Sequence, residues 1–388
     1  MFKKNSEYIL NFGPHHPSTH GVLRLVLALF GERVTSCHPE IGYLHRGVEK
    51  IVENKKFLSI IPYIDRLDYL APVIQEHAYV SAIEKVLQIN VPRRALFIRT
   101  IFDELTRISS HIMGIGCLTY DLGCLSLFLY GFEEREKIMD IFESVTGARM
   151  HLAYYVPGGV LEDITDETIS MINQFIEKLD FYLDAVQKLA LNNRIFQKRT
   201  QNVGVISQNM AIKNGISGVN LRASGIKYDV RKSSPYGAYK FLKFDPIILM
   251  EGDCYARNKL RYLEIQQSVD LLKQCLKLIE PGNICSFGYF NREETRHTTD
   301  ELLHASFFAR GIELPQNTVI YSASETPRGE FGIHLFTNED QTKPYRMHFK
   351  SPSFASIQLL KKLLIDCKIP DVTAVLGSLD FIMGCCDR

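Results

Sequence analysis

Two apolar runs typical of β-strands lie close to the N-terminus, with an irregular loop between them. Ser6–Phe12 is the first run, and Val22–Cys37 is the second, with a break at Phe30-Gly31-Glu32-Arg33. Short runs of this kind, bounded by glycine and proline, predict a small antiparallel sheet. The connecting loop, Gly13–Gly21, contains two prolines that fix φ and two glycines that admit unusual dihedrals. The pattern therefore predicts a stiff loop at the edge of the sheet.

The middle of the chain has mostly helical periodicity, from Pro72 to about Leu191, with one break at Pro157-Gly158-Gly159. The predicted helices are Val48–Asn54, Val73–Ile89, Pro92–Gly114, Glu133–Thr146, Asp163–Leu191 and Tyr255–Ile279. The four between Val73 and Leu191 are expected to form a bundle. Val203–Ala223 is rich in glycine, asparagine and serine, which predicts an irregular segment.

The C-terminal part mixes both periodicities. Alternating runs predict strands over Thr318–Ser324, Gly332–Phe336 and Arg346–Lys350, with a turn at Pro327-Arg328-Gly329, and Ser356–Ile365 has helical spacing. We therefore predict an α+β fold in a single domain, residues 1–388. Its parts are an N-terminal sheet (1–40), a mainly helical bundle (41–280) and a mixed β/α part (281–388).

Composition narrows the class of protein. The 388 residues are 46% hydrophobic, enough for a large core, and carry a formal net charge of +1, so no global field favours nucleic acid or an anionic membrane surface. The nine scattered cysteines include no Cys-x-x-Cys pair, which is typical of reduced thiols in an intracellular compartment. No apolar run reaches the roughly 20 residues of a spanning helix. We also see no targeting segment, so the chain is expected to be cytoplasmic or made in its own compartment, with membrane contact only through partners.

The loop Gly13–Gly21 carries three histidines, His15, His16 and His20. His16 and His20 are four residues apart, but Pro17 argues against the helix that would place them on one face as metal ligands. Two interpretations then remain open. The histidines can cap neighbouring backbone, or one of them can donate a hydrogen bond or proton to a substrate near neutral pH.

Three other features carry candidate chemistry. Asp65–Tyr69 packs two carboxylates, a guanidinium and a phenol into five residues, which suits either a solvated turn or a site. Asp121 lies in an apolar run, where a carboxylate needs a buried partner, and histidine is a natural one. Cys385 and Cys386 are adjacent, which suits neither tetrahedral metal ligation nor an unstrained disulfide, so we interpret them as packing thiols.

Several motifs together resemble one family over nearly the whole chain. They are Asn11–Arg24, Leu44-His45-Arg46-Gly47, Asp65–Tyr69, Phe132–Glu136, Gly147–His151, Leu221–Gly225, Gly252–Tyr255, Pro327–Gly332 and the terminal Asp387-Arg388. The chain is similar to the 49-kDa-type chains, also called NADH dehydrogenase subunit 7, of respiratory NADH:quinone oxidoreductase, complex I. Many members end in Gly-Glu-Val-Asp-Arg, whereas this chain has Cys385 and Cys386 before Asp387. Together with the absence of tryptophan and of a presequence, this difference suggests a divergent, organelle-encoded version.

The resemblance implies a site for quinone reduction. His20 and Tyr69 would hydrogen-bond ubiquinone and donate protons as its carbonyls become hydroxyls, and Asp121 would pair with His20 and raise its pKa. Arg46 and His151 would lie beside the terminal 4Fe-4S cluster of a partner subunit and tune it without ligating it. By this resemblance His20 would be the functional histidine of the loop, and His15 and His16 would shape it.

The resemblance also implies the surroundings of the chain. NAD and the 4Fe-4S clusters would be bound by partner subunits, and this chain would bind no metal. Expected partners are the subunit with the terminal cluster, the 30-kDa-type subunit and the membrane subunit that holds the quinone channel. The expected location is the matrix side of the mitochondrial inner membrane or the cytoplasmic side of a bacterial one. The fold would be similar to the large subunit of nickel–iron hydrogenases.

Three alternatives stay open at this point. The related plastid or cyanobacterial complex passes electrons from ferredoxin to plastoquinone, although Asp65–Tyr69 fits the respiratory branch better. A structural scaffold without quinone chemistry is a second alternative, against which the joint presence of His20, Tyr69 and Asp121 speaks. A nickel-dependent hydrogenase is the third, and it lacks the expected pairs of thiolate ligands.

Overall fold

The N-terminal sheet has three antiparallel strands. In the computed structural model, which describes residues 8–15, 21–286 and 312–388, these are β1 (Tyr8–Phe12), β2 (Arg24–Phe30) and β3 (Arg33–Glu40). Their order is β1-β2-β3, so β1 lies at an edge. On β2 the odd-numbered residues from 25 to 29 are buried and those between them are half-buried, as period-2 alternation requires. The predicted sheet is confirmed, while His16 and His20 lie outside the described residues.

Helices make up most of the chain between the first sheet and residue 278. They are α1 (Val48–Val52), α2 (Ile61–Ile64), α3 (Pro72–Leu87), α4 (Arg93–Asp121), α5 (Leu125–Thr146), α6 (Asp166–Val186), α7 (Arg194–Thr200), α8 (Gln208–Lys213), α9 (Gly218–Arg222), α10 (Val230–Ser233) and α11 (Cys254–Leu278). Helix α4 is central, since it packs against α3, α5 and α11. The predicted long helices are confirmed, although the bundle also includes α11.

Local chemistry explains several helix ends. Thr165 caps α6 by accepting from the Thr168 N–H, and Asp253 caps α11 by accepting from the Ala256 N–H at 2.7 Å. Helix α5 ends at Gly147, whose φ of 72° suits glycine. These caps satisfy backbone donors and acceptors that a helix end otherwise leaves without partners.

Helix α4 extends seven residues beyond the predicted end at Gly114. A Cβ at Gly114 would lie 3.1 Å from the Asp380 Oδ2 atom, and a Cβ at Gly116 would lie 3.5 Å from the Phe128 Cα atom. These glycines therefore allow close packing and do not end the helix. The prediction for 203–223 was also wrong in part, because α8 and α9 lie within that segment.

Two further sheets follow. The break at Pro157-Gly158 is the turn of a short hairpin, β4 (Tyr155–Val156) with β5 (Gly159–Val160). The strands β6 (Val319–Thr326), β7 (Gly329–Phe336) and β8 (Arg346–Lys350) form an antiparallel sheet in that order. The predicted strands are confirmed, with β6 and β7 longer than expected.

The chain ends with α12 (Pro352–Leu363), α13 (Ile369–Leu379) and α14 (Met383–Asp387). Two large hydrophobic clusters meet at α14. Cys385 belongs to the cluster built around α3, α4, α5 and β6–β8, whereas Met383 and Cys386 belong to the cluster under the N-terminal sheet. Helix α14 thus lies at the seam between the two cores.

A network of buried ion pairs joins α4, α9, α10, α11 and β6. Arg222 contacts Glu325 at 2.7 Å, Glu264 at 2.8 Å and Asp229 at 3.6 Å, and all four side chains are buried. Although burial opposes ionisation, the Arg222 guanidinium and other nearby cations hold the pKa of Asp229 down to about 2 and the pKa of Glu264 well below its usual range. Asp229 and Glu264 are therefore ionised throughout the neutral pH range, whereas burial raises the pKa of Glu325.

The structure also bears on membrane-spanning helices and on the state of the cysteines. Within residues 8–15, 21–286 and 312–388 we find no helix with the length and apolarity to cross a bilayer. All nine cysteines, which lie within those residues, are free thiols. Cys385 and Cys386 are buried, and the Cys385 thiol donates to the Ser351 hydroxyl at 3.0 Å.

Candidate functional site

The loop Asp65–Tyr69 lies between α2 and α3 and is held by the start of α3. The Gln75 amide donates to the main-chain oxygen of Asp68 at 3.1 Å and accepts from its N–H at 3.3 Å. Asp65 and Asp68 are buried, Arg66 is exposed and Tyr69 is half-buried. Neighbouring residues of one short loop therefore face different parts of the protein.

A buried cation lies beside Tyr69 and holds two carboxylates. Arg328, in the turn between β6 and β7, contacts Asp68 at 3.0 Å and Asp380 at 3.3 Å. It also donates to the Ser110 hydroxyl of α4 at 3.1 Å. Arg328 thus joins the loop, the central helix and the segment after α13 at one point.

These charges act on the Tyr69 phenol in opposite directions. Burial raises its pKa above the usual value, and the Asp68 and Asp380 carboxylates raise it further, whereas the Arg328 cation opposes the rise. A raised pKa keeps the phenol protonated at neutral pH. The nearby guanidinium would stabilise the phenolate that remains after a proton is donated.

Asp121 is the last residue of α4, one turn after Cys117. The Cys117 thiol lies close enough to Tyr69 to affect its phenol electrostatically. Residues four apart share one face of a helix, so Cys117 and Asp121 lie on the same face of α4. A Cβ at Gly377 on α13 would lie 3.3 Å from the Asp121 Oδ2 atom, so this carboxylate packs tightly against α13.

Arg46 and His151 lie close to each other, on the other side of the loop. The Arg46 guanidinium donates to the main-chain oxygen of Arg66 at 2.8 Å. Burial and the cations Arg66 and Arg46 all lower the pKa of His151, while Asp65 opposes them. The His151 Nδ1 atom is buried and has no hydrogen-bond partner among the described residues. The Arg46 and Arg66 guanidinium groups form a cationic patch, with His151 held neutral beside them, and this patch suits a neighbour that gains negative charge.

A pair of buried carboxyl groups supports the same loop. The Glu76 Oε2 atom accepts from the Tyr154 and Tyr155 N–H groups, each at 2.8 Å, and Asp65 accepts from the Ala153 N–H at 3.0 Å. The remaining oxygens, Asp65 Oδ1 and Glu76 Oε1, receive no donor from the described residues. Burial and the neighbouring carboxylate raise the pKa of Glu76 well above its usual value. The raised pKa favours the protonated form of Glu76.

We expect Glu76→Gln to make the protein less sensitive to alkaline pH. Because the pKa of Glu76 is raised on folding, its contribution to stability is full at acid pH and is lost as pH rises through that raised pKa. Glutamine keeps one oxygen acceptor and cannot ionise. The variant should exceed the wild type in unfolding free energy by roughly 1 kcal/mol or more at alkaline pH, since one pKa unit corresponds to about 1.4 kcal/mol. Thermal unfolding followed from acid to alkaline pH checks this, with exposed Glu177→Gln as the control.

Of the five predicted site residues, Tyr69, Asp121, Arg46 and His151 lie in the described part of the chain. The loop Asp65–Tyr69 links Tyr69, Arg46 and His151, whereas Asp121 lies at the end of α4, against α13. His20 lies outside the described residues, but Gly21, the next residue, is described. A Cβ at Gly21 would lie 3.5 Å from the Met383 side chain, at the start of α14.

Arg328 and Asp380 were missed as site residues by sequence reasoning. Arg328 stands in a Pro-Arg-Gly turn and was interpreted as part of that turn and of a family motif, without a role at the site. Asp380 follows Leu379 and precedes Phe381, so a carboxylate in apolar company was a signal there, as it was for Asp121.

Comparison with known proteins decides the family. Residues 121–388 match the family described as "Respiratory-chain NADH dehydrogenase, 49 Kd subunit". The chain belongs to this family. It is 40% identical over its whole length to the NADH-ubiquinone oxidoreductase 49 kDa subunit of Pylaiella littoralis, covering 98% of that protein. It is also 42% identical to a NADH-quinone oxidoreductase subunit of Rickettsia typhi, over 99% of this chain and all of the relative, and 38% identical to one of Neisseria meningitidis over the full length of both.

The described residues hold no group of three or more histidine, cysteine or acidic side chains arranged to bind a metal ion.

Proposed function

We propose that this chain is the core subunit of respiratory NADH:quinone oxidoreductase that forms the quinone-reduction site together with the subunit carrying the terminal 4Fe-4S cluster. The observation that carries the proposal is the Tyr69 phenol beside the buried Arg328 cation, on a loop whose other side bears the cationic patch. The family of the chain agrees with this function. Ubiquinone is the proposed substrate.

Reduction of a quinone to a quinol consumes two electrons and two protons. The Tyr69 phenol, kept protonated by its raised pKa, hydrogen-bonds one quinone oxygen and donates as negative charge develops there. Arg328 then stabilises the phenolate. His20 is the proposed donor to the other oxygen, with Asp121 as its partner, which would raise its pKa and keep it protonated.

Arg46 and His151 are proposed to lie beside the partner's 4Fe-4S cluster, which supplies the electrons when it is bound. The cationic patch fits such a neighbour, since positive charge favours the reduced, more negative form of a cluster. His151 also presents a buried nitrogen that has no partner among the described residues. Neither residue ligates the cluster in this proposal.

The proposal extends to the assembly. The 30-kDa-type subunit and the membrane subunit with the quinone channel are the other proposed neighbours, and NAD binds elsewhere in the complex. We place the chain in the peripheral arm, on the matrix side of the mitochondrial inner membrane or the cytoplasmic side of a bacterial one. The small antiparallel sheets and many helices support a fold similar to the large subunit of nickel–iron hydrogenases, in one domain.

Asp121→Asn in the assembled complex tests the proposal. We expect NADH oxidation with a quinone acceptor to fall by about tenfold or more, since general acid catalysis contributes at least about 10²-fold and the variant weakens it. NADH oxidation with ferricyanide, which accepts electrons before the quinone, should keep its wild-type rate. Asp180→Asn, an exposed carboxylate on α6, is the control. Equal losses with both acceptors, or wild-type quinone reduction, would favour a scaffold role instead.

A further inference from the structure

The loop Gly42–Gly47, which carries Arg46, has little regular structure of its own. Its ends are glycines with positive φ, 108° at Gly42 and 65° at Gly47. Within the loop, the His45 N–H donates to the Gly42 oxygen at 3.1 Å. Tyr43, His45 and Arg46 are all exposed. The conformation of this loop must therefore be held by other parts of the chain.

Asp387, the last residue of α14, supplies most of that support. Its carboxylate accepts from the Gly42 N–H at 3.0 Å and from the Leu44 N–H at 2.8 Å, one bond to each oxygen. The His45 Nδ1 atom lies 2.6 Å from the main-chain oxygen of Asp387 and donates to it. Two charge-assisted bonds from one carboxylate fix the path of the backbone just before Arg46.

The residues on both sides of Asp387 hold Arg46 itself. The main-chain oxygen of Arg388 accepts from the N–H groups of Arg46 and Gly47, at 3.3 and 3.2 Å. The main-chain oxygen of Gly384 accepts from the Arg46 guanidinium at 3.4 Å, beside the stronger bond to Arg66. Both the backbone and the head group of Arg46 are thus bonded to the segment Gly384–Arg388, which we call the clamp.

The clamp is itself rigidly held. The Arg388 guanidinium donates to Glu49 at 3.1 Å and to the main-chain oxygen of Phe349 on β8. Cys385 and Cys386 are buried in different hydrophobic clusters. A Cβ at Gly384 would lie 2.7 Å from the Leu67 oxygen, so the clamp also presses against the loop that carries Tyr69. The clamp that holds Arg46 is thus anchored in both hydrophobic clusters and on the sheet that contains β8.

We propose that the clamp Gly384–Arg388, chiefly through Asp387, positions Arg46 and thereby sets the reduction potential of the partner's 4Fe-4S cluster. This rests on the proposed function, in which Arg46 lies beside that cluster. Asp387 is a positioning residue in this proposal, since it touches neither quinone nor cluster and acts through the loop Gly42–Gly47. A hydrogen-bonded guanidinium keeps one distance from its neighbour, whereas an unsupported arginine samples many rotamers and is hydrated.

The test compares Asp387→Asn with Arg46→Gln in the assembled complex. The midpoint potential of the terminal cluster, from a redox titration followed by electron paramagnetic resonance, should fall in both, because each weakens the cation near the cluster. The double variant should match Arg46→Gln alone, since the two residues act through one path. Hydrogen exchange at the Gly42 and Leu44 amides should become about tenfold or more faster in Asp387→Asn, because hydrogen bonds to charged groups are worth about 1.5–3 kcal/mol. Asp366→Asn, an exposed carboxylate, should change neither quantity.

Each result decides the matter. A wild-type potential in Asp387→Asn, when Arg46→Gln lowers it, overturns the positioning role and leaves the proposed function intact. Unchanged exchange at Gly42 and Leu44 overturns the clamp as the support of the loop. If Arg46→Gln itself keeps the wild-type potential, the proposed place of Arg46 is wrong, even where exchange is faster. Should Asp387→Asn fail to assemble, His45→Ala removes one bond to the clamp from an exposed residue, and an unchanged potential there has the same adverse meaning.

Discussion

Tyr69→Phe should reduce quinone-dependent NADH oxidation by on the order of 10²-fold, the lower end of what a positioned general acid contributes. The ring and its packing are retained, and only the hydroxyl beside Arg328, Asp68 and Asp380 is lost. Oxidation of NADH with ferricyanide should keep its rate, because those electrons leave before the quinone site. Parallel assays of the two acceptors on the purified complex provide the measurement.

Tyr63→Phe is the matched control for this variant. Tyr63 lies six residues earlier, on α2, and its ring contacts the Lys55 ammonium group. Loss of its hydroxyl should leave both activities unchanged. If Tyr69→Phe reduced quinone as fast as the wild type, the phenol would not be a proton donor, and the buried Arg328 cluster would be structural only.

Arg222→Met should have the largest effect on stability. The substitution leaves Glu264, Glu325 and Asp229 buried near one another, with less positive charge to balance them. Removal of one partner from a buried ion pair costs about 3–5 kcal/mol, because the remaining charge has neither water nor a counter-ion. The variant chain should therefore be recovered in much lower amount in the assembled complex, and the complex should unfold at lower temperature.

Arg199→Met tests whether burial is the cause. Arg199 pairs with Asp371 at 3.5 Å, and both side chains are partly exposed. Exposed pairs contribute about 1 kcal/mol or less, so this variant should assemble normally. Similar losses for the two arginines would contradict the role assigned to burial.

Periodicity predicted most elements of the fold because it reports which face of each element is buried. It failed where small residues served packing. Gly114 was expected to end a helix and instead allows Asp380 to approach α4. The segment 203–223 was expected to be irregular, yet Ser207 caps a helix there by accepting from the Met210 N–H. The contact at Gly114 depends on a residue distant in sequence, and the helix after Ser207 depends on a single capping hydrogen bond. The pattern of polar and apolar residues in a short stretch of sequence indicates neither.

The candidate site was predicted through the resemblance of motifs, and its chemistry was only partly visible in the residues. Tyr69 stood out because it lies in a short loop dense in polar side chains. Asp121 stood out because a carboxylate in an apolar run needs a buried partner. Arg328 lies about 260 residues after Tyr69 in the chain, and only the fold brings them together. The same is true of Asp387 and Gly42, which are 345 residues apart.

The loop Asp65–Tyr69 also limits the distance between two parts of the proposed site. Its Arg66 oxygen accepts a hydrogen bond from Arg46, which is proposed to lie beside the cluster that supplies electrons. Its Tyr69 phenol, the proposed proton donor, lies beside Arg328. Arg66 and Tyr69 are three residues apart in the chain. Successive Cα atoms are 3.8 Å apart, which limits the Arg66 to Tyr69 span to about 11 Å. An inserted residue would change this spacing and the directions in which the side chains of the loop point. Variation in this loop is therefore expected to exchange side chains while its length stays constant.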